Sequence, residues 1–476
     1  MRSRNLRWSA AAVLVMAAGL AAVLAAGSAR ADSPNNFTYV VNPLLQPADN
    51  GTSPATFTNP FCSSGTLVCY TPNDIKTAYN YPSGLTGTGQ TIVIVDAYGS
   101  PTAAADLATF DTRFGIPGPP GGLQVVCPSG CPNTTLNNAP NAAAGWGEET
   151  SLDVQWAHAM APGAKLVLVV APNPHGDAIN SVEAKIFADP AYKGAIVSQS
   201  FGIPEYAVNN GNNAQILQAH RNYELARANG ITVLASTGDN GATNGATFGN
   251  AGYPASDPNV LAIGGTQGHP YYNGRASAGS QQNPLPACRT TFLGQPCSVG
   301  LATVQCSSAT TCPTIGYGGE ETWNEFFLPA ATGGAASLIF AAPAFQSGDG
   351  SGSSARTIPD VSYDAAVSGG VLTYLGFLGP ASGFYIFGGT SAASPQMASV
   401  IALANQLKGS TLGYVNDKVY SIAESGAYAA DFHDITLGNN QLLGTPFGNS
   451  AGTGYDLATG WGTPNVANFV ASLAGA

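Results

Sequence analysis

Charged residues are scarce in this chain of 476 residues, at 9% of the composition. Globular proteins usually carry about a quarter. Only 16 residues are Lys or Arg, against 27 Asp or Glu, which gives a formal net charge of −11. An acidic chain with so few cations is not attracted to nucleic acid or to anionic lipid, so we expect neither as a partner.

Long apolar runs are also absent, except at the N-terminus. Three arginines precede an Ala/Val/Leu-rich run over residues 8–27, and Ala29-Arg30-Ala31 then fits a small-x-small cleavage site. This order predicts a secretory signal peptide over residues 1–31 rather than a retained membrane anchor. We therefore expect a secreted, extracellular protein with no membrane association after signal removal.

The eight cysteines show no C-x-x-C spacing in the 288–312 cluster, which disfavours a metal cluster there. An even number in an exported chain favours disulfide bonds. The cysteines fall into neighbouring pairs, namely Cys62 and Cys69, Cys127 and Cys131, Cys288 and Cys297, and Cys306 and Cys312. The sequence leaves their connectivity open.

Short apolar runs alternate with helical stretches from Tyr70 onward. The runs of strand length are residues 91–95, 166–170, 196–200, 231–236 and 260–263, and the helical stretches include 148–160 and 213–229. This alternation predicts an α/β fold with a mostly parallel sheet covered by helices on both faces.

The sequence predicts one large domain over residues 66–476, after a short N-terminal segment. Residues 32–65 are rich in Asn, Pro, Ser and Thr, which predicts a loosely structured lead-in. Residues 267–320 are rich in Gly, Pro and Ser and contain four cysteines, which predicts a disulfide-stapled insertion or long loop.

A run of small residues, Gly388-Gly389-Thr390-Ser391-Ala392-Ala393-Ser394-Pro395, leads into an apolar stretch that ends near residue 407. A turn that passes directly into a helix places Ser391 at the helix N-terminus, where unpaired N–H groups and the dipole can hold an oxyanion. We expect Pro395 in the first helical turn. The alternative, that Ser391 or Thr390 only caps the helix, does not explain the two glycines.

A serine nucleophile needs a base, and the five histidines supply no obvious one. None lies in a His-Gly-Thr-His-like stretch, and His158 follows Asp153 by five positions, off its helical face. Glu149 and Asp153 are four residues apart on one face. Two adjacent carboxyls repel and can share a proton, which suits acid–base catalysis at acidic pH. The alternative is a solvated acidic face.

Asp239 ends a predicted strand in the turn Thr237-Gly238-Asp239-Asn240-Gly241. Sites in parallel α/β sheets gather at such strand ends. A carboxyl kept protonated there could donate a hydrogen bond to an oxyanion. An Asp that only helps to form a Gly-rich turn is the alternative.

Together these motifs resemble the sedolisin, or serine-carboxyl, peptidase family over about residues 66–476. The matching stretches are residues 388–395, 149–153 with Ala161-Pro162-Gly163-Ala164, 237–241, and the cleft strand Ser198-Gln199-Ser200-Phe201-Gly202. The resemblance implies a subtilisin-like fold, with a mostly parallel central sheet flanked by helices.

The resemblance also implies an acid-acting endopeptidase for peptide or protein substrates, expected as a monomer. Ser391 would be the nucleophile and Glu149 the base, with Asp153 hydrogen-bonded to Glu149. Protonated Asp239 and the backbone N–H of Ser391 would hold the oxyanion. Asp96, which follows the first strand, would have at most a supporting role in this network.

The C-terminal region resembles the two halves of the family's calcium site, at residues 433–436 and 451–456. By that resemblance one structural Ca²⁺ would bind the carboxylates of Asp434 and Asp456 and the carbonyls of Ile435, Gly452 and Gly454. Two carboxylates and several backbone carbonyls supply the oxygen ligands that calcium prefers. We therefore expect a C-terminal calcium-binding loop region.

One departure from the family and two alternatives stand beside this interpretation. Residues 32–65 are too few for the large prodomain usual in the family. A conventional subtilisin-like peptidase that uses His158 and Asp96 would have a neutral or alkaline optimum. A non-catalytic exported binding protein on the same fold is the second alternative.

Overall fold

The computed structural model describes residues 37–48, 69–132, 141–208, 214–268, 279–281, 304–306, 317, 319–325, 328–367 and 369–476. The predicted signal peptide and most of the 267–320 insertion lie outside these ranges. Among the helices within them, none is long and apolar enough to span a bilayer.

The strands are mostly short, and several of the longest form a central sheet. In chain order they are β1 Leu44–Pro47, β2 Cys69–Tyr70, β3 Thr91–Ala97, β4 Gln124–Val126, β5 Lys165–Ala171, β6 Ile196–Gln199, β7 Ile203–Pro204, β8 Thr232–Ser236, β9 Gly252–Tyr253, β10 Leu261–Gly268, β11 Gly279–Gln281, β12 Val304–Cys306, β13 Glu320–Thr322, β14 Asn324–Glu325, β15 Ala330–Ala331, β16 Ala335–Ala341, β17 Ala355–Ile358, β18 Val361–Asp364, β19 Gly370–Leu375, β20 Gly383–Gly388, β21 Phe432–His433 and β22 Thr463–Pro464.

The helices fall between these strands. They are α1 Pro72–Ala78, α2 Ala103–Phe114, α3 Asn141–Met160, α4 Gly176–Ala188, α5 Glu205–Val208, α6 Ala214–Ala228, α7 Thr390–Lys408, α8 Asn416–Ala423, α9 Tyr428–Asp431 and α10 Val466–Ala474. Helix α3 begins seven residues before the predicted start at 148, because the good helix formers Ala142, Ala143 and Ala144 extend it.

The central sheet has the order β13-β10-β8-β6-β3-β5-β4, with β18 also paired to β10. Its pairs are parallel, apart from the antiparallel edge pair of β10 with β13. The predicted α/β class with a mostly parallel sheet is therefore confirmed.

Helices cover both faces of this sheet. Ile92 and Ile94 of β3 belong to the core cluster on one side, whereas Val93 and Val95 belong to the cluster on the other. Helices α3 and α7 pack together on the first face, and α4 and α6 pack together on the second. Because β-strand side chains alternate, residues that follow Ile94 in steps of two face α3 and α7.

Helix α7 differs from the prediction at Pro395. The helix begins at Thr390 after Gly389, whose φ of +97° favours glycine, so Pro395 lies in the second turn. Proline has no N–H, and therefore the carbonyl of Ser391, four residues earlier, receives no helical hydrogen bond from it. That carbonyl accepts one from the Ser200 hydroxyl instead, at 3.3 Å.

The expectation of a loosely structured lead-in is wrong for residues 37–48. Strand β1 pairs antiparallel with β20, with Leu44 opposite Gly388. The side chains of Phe37, Tyr39 and Leu44 are buried, because these apolar groups find places in the body of the domain.

A disulfide bond joins the neighbouring cysteines Cys127 and Cys131, with an S–S distance of 2.01 Å. Cys69 is also disulfide-bonded. The other cysteine predictions, for Cys62, Cys288, Cys297, Cys306 and Cys312, lie outside the described side chains.

Candidate active site

The carboxyl ends of β3, β6 and β8 meet at one edge of the sheet, and the start of α7 lies beside them. Asp96 is near the end of β3, Ser200 follows β6, and Asp239 follows β8. Asp96 follows Ile94 by two residues and Ser200 follows Ile196 by four, so both face α3 and α7.

Glu149 lies on the inner face of α3 and is fully buried. Burial raises the pKa of its carboxyl well above the usual range, and a hydrogen-bonding contribution from the Ser391 hydroxyl lowers it. The charges of Asp96 and Asp239 raise it further. Neither carboxyl oxygen has a hydrogen bond of normal geometry among the described residues. The structure thus brings Glu149 and Ser391 together, and the solvated-face interpretation is wrong.

Asp153, one turn further along α3, is also fully buried. Its Oδ1 accepts a hydrogen bond of 2.8 Å from the Ser200 hydroxyl, whereas its Oδ2 has no partner among the described residues. The expected direct bond to Glu149 is therefore not formed. Burial, then the charges of Asp96 and Glu149, raise the pKa of Asp153, and the Ser200 hydroxyl lowers it.

Asp96 completes a group of three buried carboxyls. Burial raises its pKa to about 7, and the Thr150 hydroxyl lowers it somewhat. Its negative charge raises the pKa of both Glu149 and Asp153. Carboxyls that interact this strongly lose their protons in steps that belong to the set rather than to one residue.

Ser391 is only 6% exposed and lies beside the end of β6. Its hydroxyl lies 3.5 Å from the carbonyl of Ser200, at the long limit of a hydrogen bond. Since Ser391 is the second residue of α7, the helix itself supplies no acceptor for its backbone N–H.

Asp239 is held against the start of α7 by Thr390. Its Oδ1 accepts hydrogen bonds of 2.8 Å from both the backbone N–H and the hydroxyl of Thr390. Burial raises the pKa of Asp239 to about 6, and these two bonds lower it. A Cβ at Gly389 would lie 2.8 Å from the other oxygen, Oδ2, so only glycine leaves that oxygen its space.

The capping interpretation of Thr390 and Ser391 is not supported. The N-cap residue of α7 is Gly389, and no side chain caps the helix. The Thr390 hydroxyl instead donates a hydrogen bond to Asp239. Since Ser391 is the next residue, this bond holds Asp239 beside the start of α7, where Ser391 lies.

His158 has other partners than the predicted nucleophile. Its Nε2 lies 2.9 Å from the carbonyl of Pro117 and 3.4 Å from the carboxylate of Asp111. The ring therefore packs between α3 and the end of α2, which removes the support for a histidine base.

Comparison with known proteins gives the family. The sequence model described as the subtilase family matches residues 136–462. The chain belongs to the subtilase family. It is 32% identical over 413 residues to kumamolisin of Bacillus sp. (strain MN-32), covering 84% of this chain and 63% of that relative. It is 27% identical to sedolisin of Pseudomonas sp. (strain 101), covering 86% of this chain and 62% of that relative.

A solved structure of Pseudomonas sedolisin, described as a serine-carboxyl proteinase complexed with pseudo-iodotyrostatin, superposes on this subtilase with a TM-score of 0.65. It is 25% identical, and the match covers 86% of this chain and 98% of that one. The resemblance to the sedolisins and the subtilisin-like fold are therefore confirmed. The chain spans just over three fifths of the length of kumamolisin and of sedolisin.

The predicted calcium residues of this subtilase form one loop region. Asp434 accepts hydrogen bonds from the Gly454 N–H at 3.1 Å and from the Tyr428 hydroxyl at 2.8 Å. Asp456 accepts one from the Gly452 N–H at 2.9 Å. Burial raises the pKa of Tyr428 most, followed by its hydrogen bond to Asp434 and the charges of Asp434 and Asp456. Ile435 follows Asp434 and is buried.

Among the described residues, no three His, Cys, Asp or Glu side chains come together as a metal cluster. A calcium ion at this loop would therefore depend on backbone carbonyls beside the two carboxylates. A Cβ at Gly452 or Gly454 would meet nothing within 4 Å, so the backbone there is open to a ligand.

Two contributors to the site were not assigned from the sequence, namely the hydroxyls of Ser200 and Thr390. A signal for Ser200 exists, because Ser198 and Ser200 are two residues apart at the end of a predicted strand and so share one face. The Ser198 hydroxyl in turn lies 2.9 Å from that of Ser394 on α7. No comparable signal points to the bond between Thr390 and Asp239, which joins distant parts of the chain.

Proposed function

We propose that this subtilase is a secreted serine-carboxyl endopeptidase that hydrolyses peptides or unfolded proteins at acidic pH. The observation that carries the proposal is a buried carboxyl, Glu149, beside the hydroxyl of Ser391, with its pKa raised by burial and lowered by that hydroxyl. Its solved relative, Pseudomonas sedolisin, is a serine-carboxyl proteinase, which supports the same chemistry. Secretion rests on the predicted signal peptide.

In the first step, Ser391 Oγ attacks the carbonyl carbon of the peptide bond while the Glu149 carboxylate takes the hydroxyl proton. Glu149 then gives this proton to the leaving nitrogen as the C–N bond breaks, and an acyl-enzyme remains. Water, deprotonated by Glu149, hydrolyses the ester. The charge of Asp96 raises the proton affinity of both Glu149 and Asp153, and the Ser200 hydroxyl orients Asp153.

The negative charge that develops on the carbonyl oxygen needs hydrogen-bond donors. The backbone N–H of Ser391, at the positive end of the α7 dipole, is one candidate. The second is Asp239 in its protonated form. Since Oδ1 accepts both bonds from Thr390, Oδ2 would carry the donated proton.

The raised pKa of Asp239 supports action at acidic pH. A carboxyl with an ordinary pKa of 3.8 would already be ionised at pH 5, whereas one at about 6 keeps its proton. Activity that requires this proton would fall as the pH rises through about 6. The asparagine variant keeps a donor at every pH, so Asp239→Asn should move the alkaline limb of the pH–rate profile upward. An unchanged limb would contradict the role of Asp239.

The nucleophile is tested by Ser391→Ala with an unfolded protein as substrate at pH 3–5. We expect a loss of at least about 10³-fold in kcat, because serine and carboxyls act as a unit. Ser399→Ala is the matched control, since Ser399 is a buried serine of the same helix whose hydroxyl bonds to Ala157 and Pro395 carbonyls. Full activity of Ser391→Ala would refute the proposal.

We also propose one structural Ca²⁺ at the C-terminal loop, held by Asp434, Asp456 and the carbonyls of Ile435, Gly452 and Gly454. The fit is an all-oxygen donor set with two negative charges, which a hard cation prefers. The ion would neutralise the two carboxylates and fix the loop. Chelator should lower Tm and added Ca²⁺ should restore it, whereas Asp456→Asn should lose this response. A Tm that chelator leaves unchanged would refute the site.

A further inference from the structure

Tyr98 adopts a backbone conformation that tyrosine rarely takes, just after the strand that carries Asp96. Its φ is +62°, in the left-handed region that favours glycine. The Gly99 N–H donates to the Ala97 carbonyl at 2.6 Å, so the chain reverses in a three-residue γ-turn centred on Tyr98. A γ-turn with a positive φ is rare and strained, and strained residues cluster at functional sites.

Backbone hydrogen bonds join the turn to the neighbouring strand β5. Ala97 lies opposite Ala171, which is the last pair in the register of β3 with β5. The Tyr98 N–H then donates to the Ala171 carbonyl at 3.0 Å. The backbone is therefore held up to Tyr98, and the chain reverses directly after it.

The turn changes the direction of the tyrosine ring. Successive side chains of a strand alternate between its faces, so an extended residue 98 would face α3 and α7, as Asp96 does. The half-buried Tyr98 ring packs instead against the core cluster on the opposite face, which includes Val95 and Ala97. The side chains of Asp96 and Tyr98 therefore lie on opposite faces of one strand end.

Asp96 occupies a position that its chemistry disfavours. Its carboxyl is fully buried, and neither oxygen has a hydrogen bond of normal geometry among the described residues. The charge of Asp96 raises the pKa of two carboxyls on α3, those of Glu149 and Asp153. On α7, residues 390–396 carry no charged side chain that could balance these acids. Burial and repulsion both favour movement of the Asp96 carboxyl toward water, so the backbone must hold it.

From these contacts we infer that Tyr98 is a positioning residue, whose strained turn holds Asp96 in one acid group with Glu149 and Asp153. Packing of the Tyr98 ring on the opposite face offsets the strain of the turn. Movement of Asp96 toward water would lift the strand end and withdraw the ring from its contacts. The inference rests on the proposed peptidase function for its part in catalysis, because these carboxyls surround the proposed base.

The test uses variants that change the ring and the strain separately. Tyr98→Ala removes the ring but keeps the strain, so the turn should relax to an extended form and release Asp96. Tyr98→Gly also removes the ring, but glycine accepts a positive φ, so the turn and Asp96 should stay in place. Tyr98→Phe keeps the ring. Asn80→Ala is the matched control, because Asn80 also has a positive φ, +55°, and lies exposed after the end of α1.

Carbon-13 NMR titration of labelled aspartate carboxyls measures the pKa of Asp96, whose signal is identified by its loss in Asp96→Asn. Burial raises this pKa to about 7 in the wild type. We expect Tyr98→Ala to lower it by at least about one unit, toward the ordinary 3.8, because the carboxyl gains water and leaves its two neighbours. Tyr98→Gly, Tyr98→Phe and Asn80→Ala should keep the wild-type value. Because the carboxyls titrate as a set, the acid limb of the pH–rate profile should also move to lower pH in Tyr98→Ala.

A further variant guards against a folding defect in Tyr98→Ala. Tyr98→Leu keeps an apolar side chain against the opposite face, and it should lower the pKa of Asp96 in the same direction by a smaller amount. Thermal melts identify the folded variants. Loss of folding in both Tyr98→Ala and Tyr98→Leu would overturn the positioning role, because the turn would then serve the fold as a whole.

The outcomes separate the two proposals. An Asp96 pKa that falls in Tyr98→Ala and is kept in Tyr98→Gly would uphold the positioning role, even if absence of hydrolysis by the wild type refuted the peptidase. An unchanged pKa in folded Tyr98→Ala and Tyr98→Leu would overturn the positioning role, whatever the rate of hydrolysis. An equal fall in Tyr98→Gly would overturn the role of the turn, because the ring alone would then hold Asp96.

Discussion

Glu183 offers the sharpest test of how buried acids shape the stability of this subtilase. It lies on α4, on the sheet face opposite the active site, and is fully buried. Burial raises its pKa from the ordinary 4.5 to about 8, although hydrogen bonds from Tyr223, Gln199 and Asn222 lower it. The Gln199 amide donates to Oε1, and Oε2 has no partner among the described residues.

The sign of the pH effect follows from these two pKa values. Between pH 4.5 and 8 the unfolded chain has lost this proton and the folded one keeps it, so stability falls as the pH rises. The gap corresponds to about 4 kcal/mol lost by pH 8 and about 3 kcal/mol by pH 7. Glu183→Gln resembles the protonated form, and its amide nitrogen can take the place of the partnerless Oε2.

We expect Glu183→Gln to match the wild type at pH 4.5 and to exceed it by about 3 kcal/mol at pH 7. Urea unfolding followed by tryptophan fluorescence at several pH values measures the difference, in which other titrating groups cancel. Asp177→Asn, an exposed position on the same helix, is the control and should change stability by less than about 1 kcal/mol. A wild-type-to-variant difference that stays constant from pH 4.5 to 8 would refute the reasoning.

Three further substitutions test other parts of the molecule. Ser200→Ala removes the hydroxyl that lowers the pKa of Asp153, so the pKa of this carboxyl should rise by about one unit, which a carboxyl-carbon NMR titration would measure. An unchanged pKa would count against the link. Arg356→Leu leaves the buried Asp360 carboxylate without its paired bonds of 2.5 and 2.6 Å, and urea unfolding should show a loss of about 3–5 kcal/mol. Gly389→Ala would displace the Asp239 carboxyl and should lower kcat about 10²-fold or more, with thermal melts to check folding; undiminished kcat would contradict the role of Oδ2.

The sequence determined the features that depend on local periodicity. Short apolar runs of strand length predicted the strands, and the four-residue spacing of Glu149 and Asp153 put both on one helical face. The glycines before Ser391 marked the start of α7. Each of these patterns is set by neighbours within a few residues, so it can be read without knowing the rest of the fold.

The tertiary structure decided which of these features meet. The order of strands in the sheet brings α3 to the start of α7, and so Glu149 to Ser391, although they are far apart in sequence. It also joins Ser200 to Asp153 and Thr390 to Asp239, through hydrogen bonds that no local pattern encodes. Residues 37–48, predicted to be a loosely structured lead-in, are extended in the fold. Backbone groups of residues 174–176 on one side and of Gly202 on the other form hydrogen bonds with them.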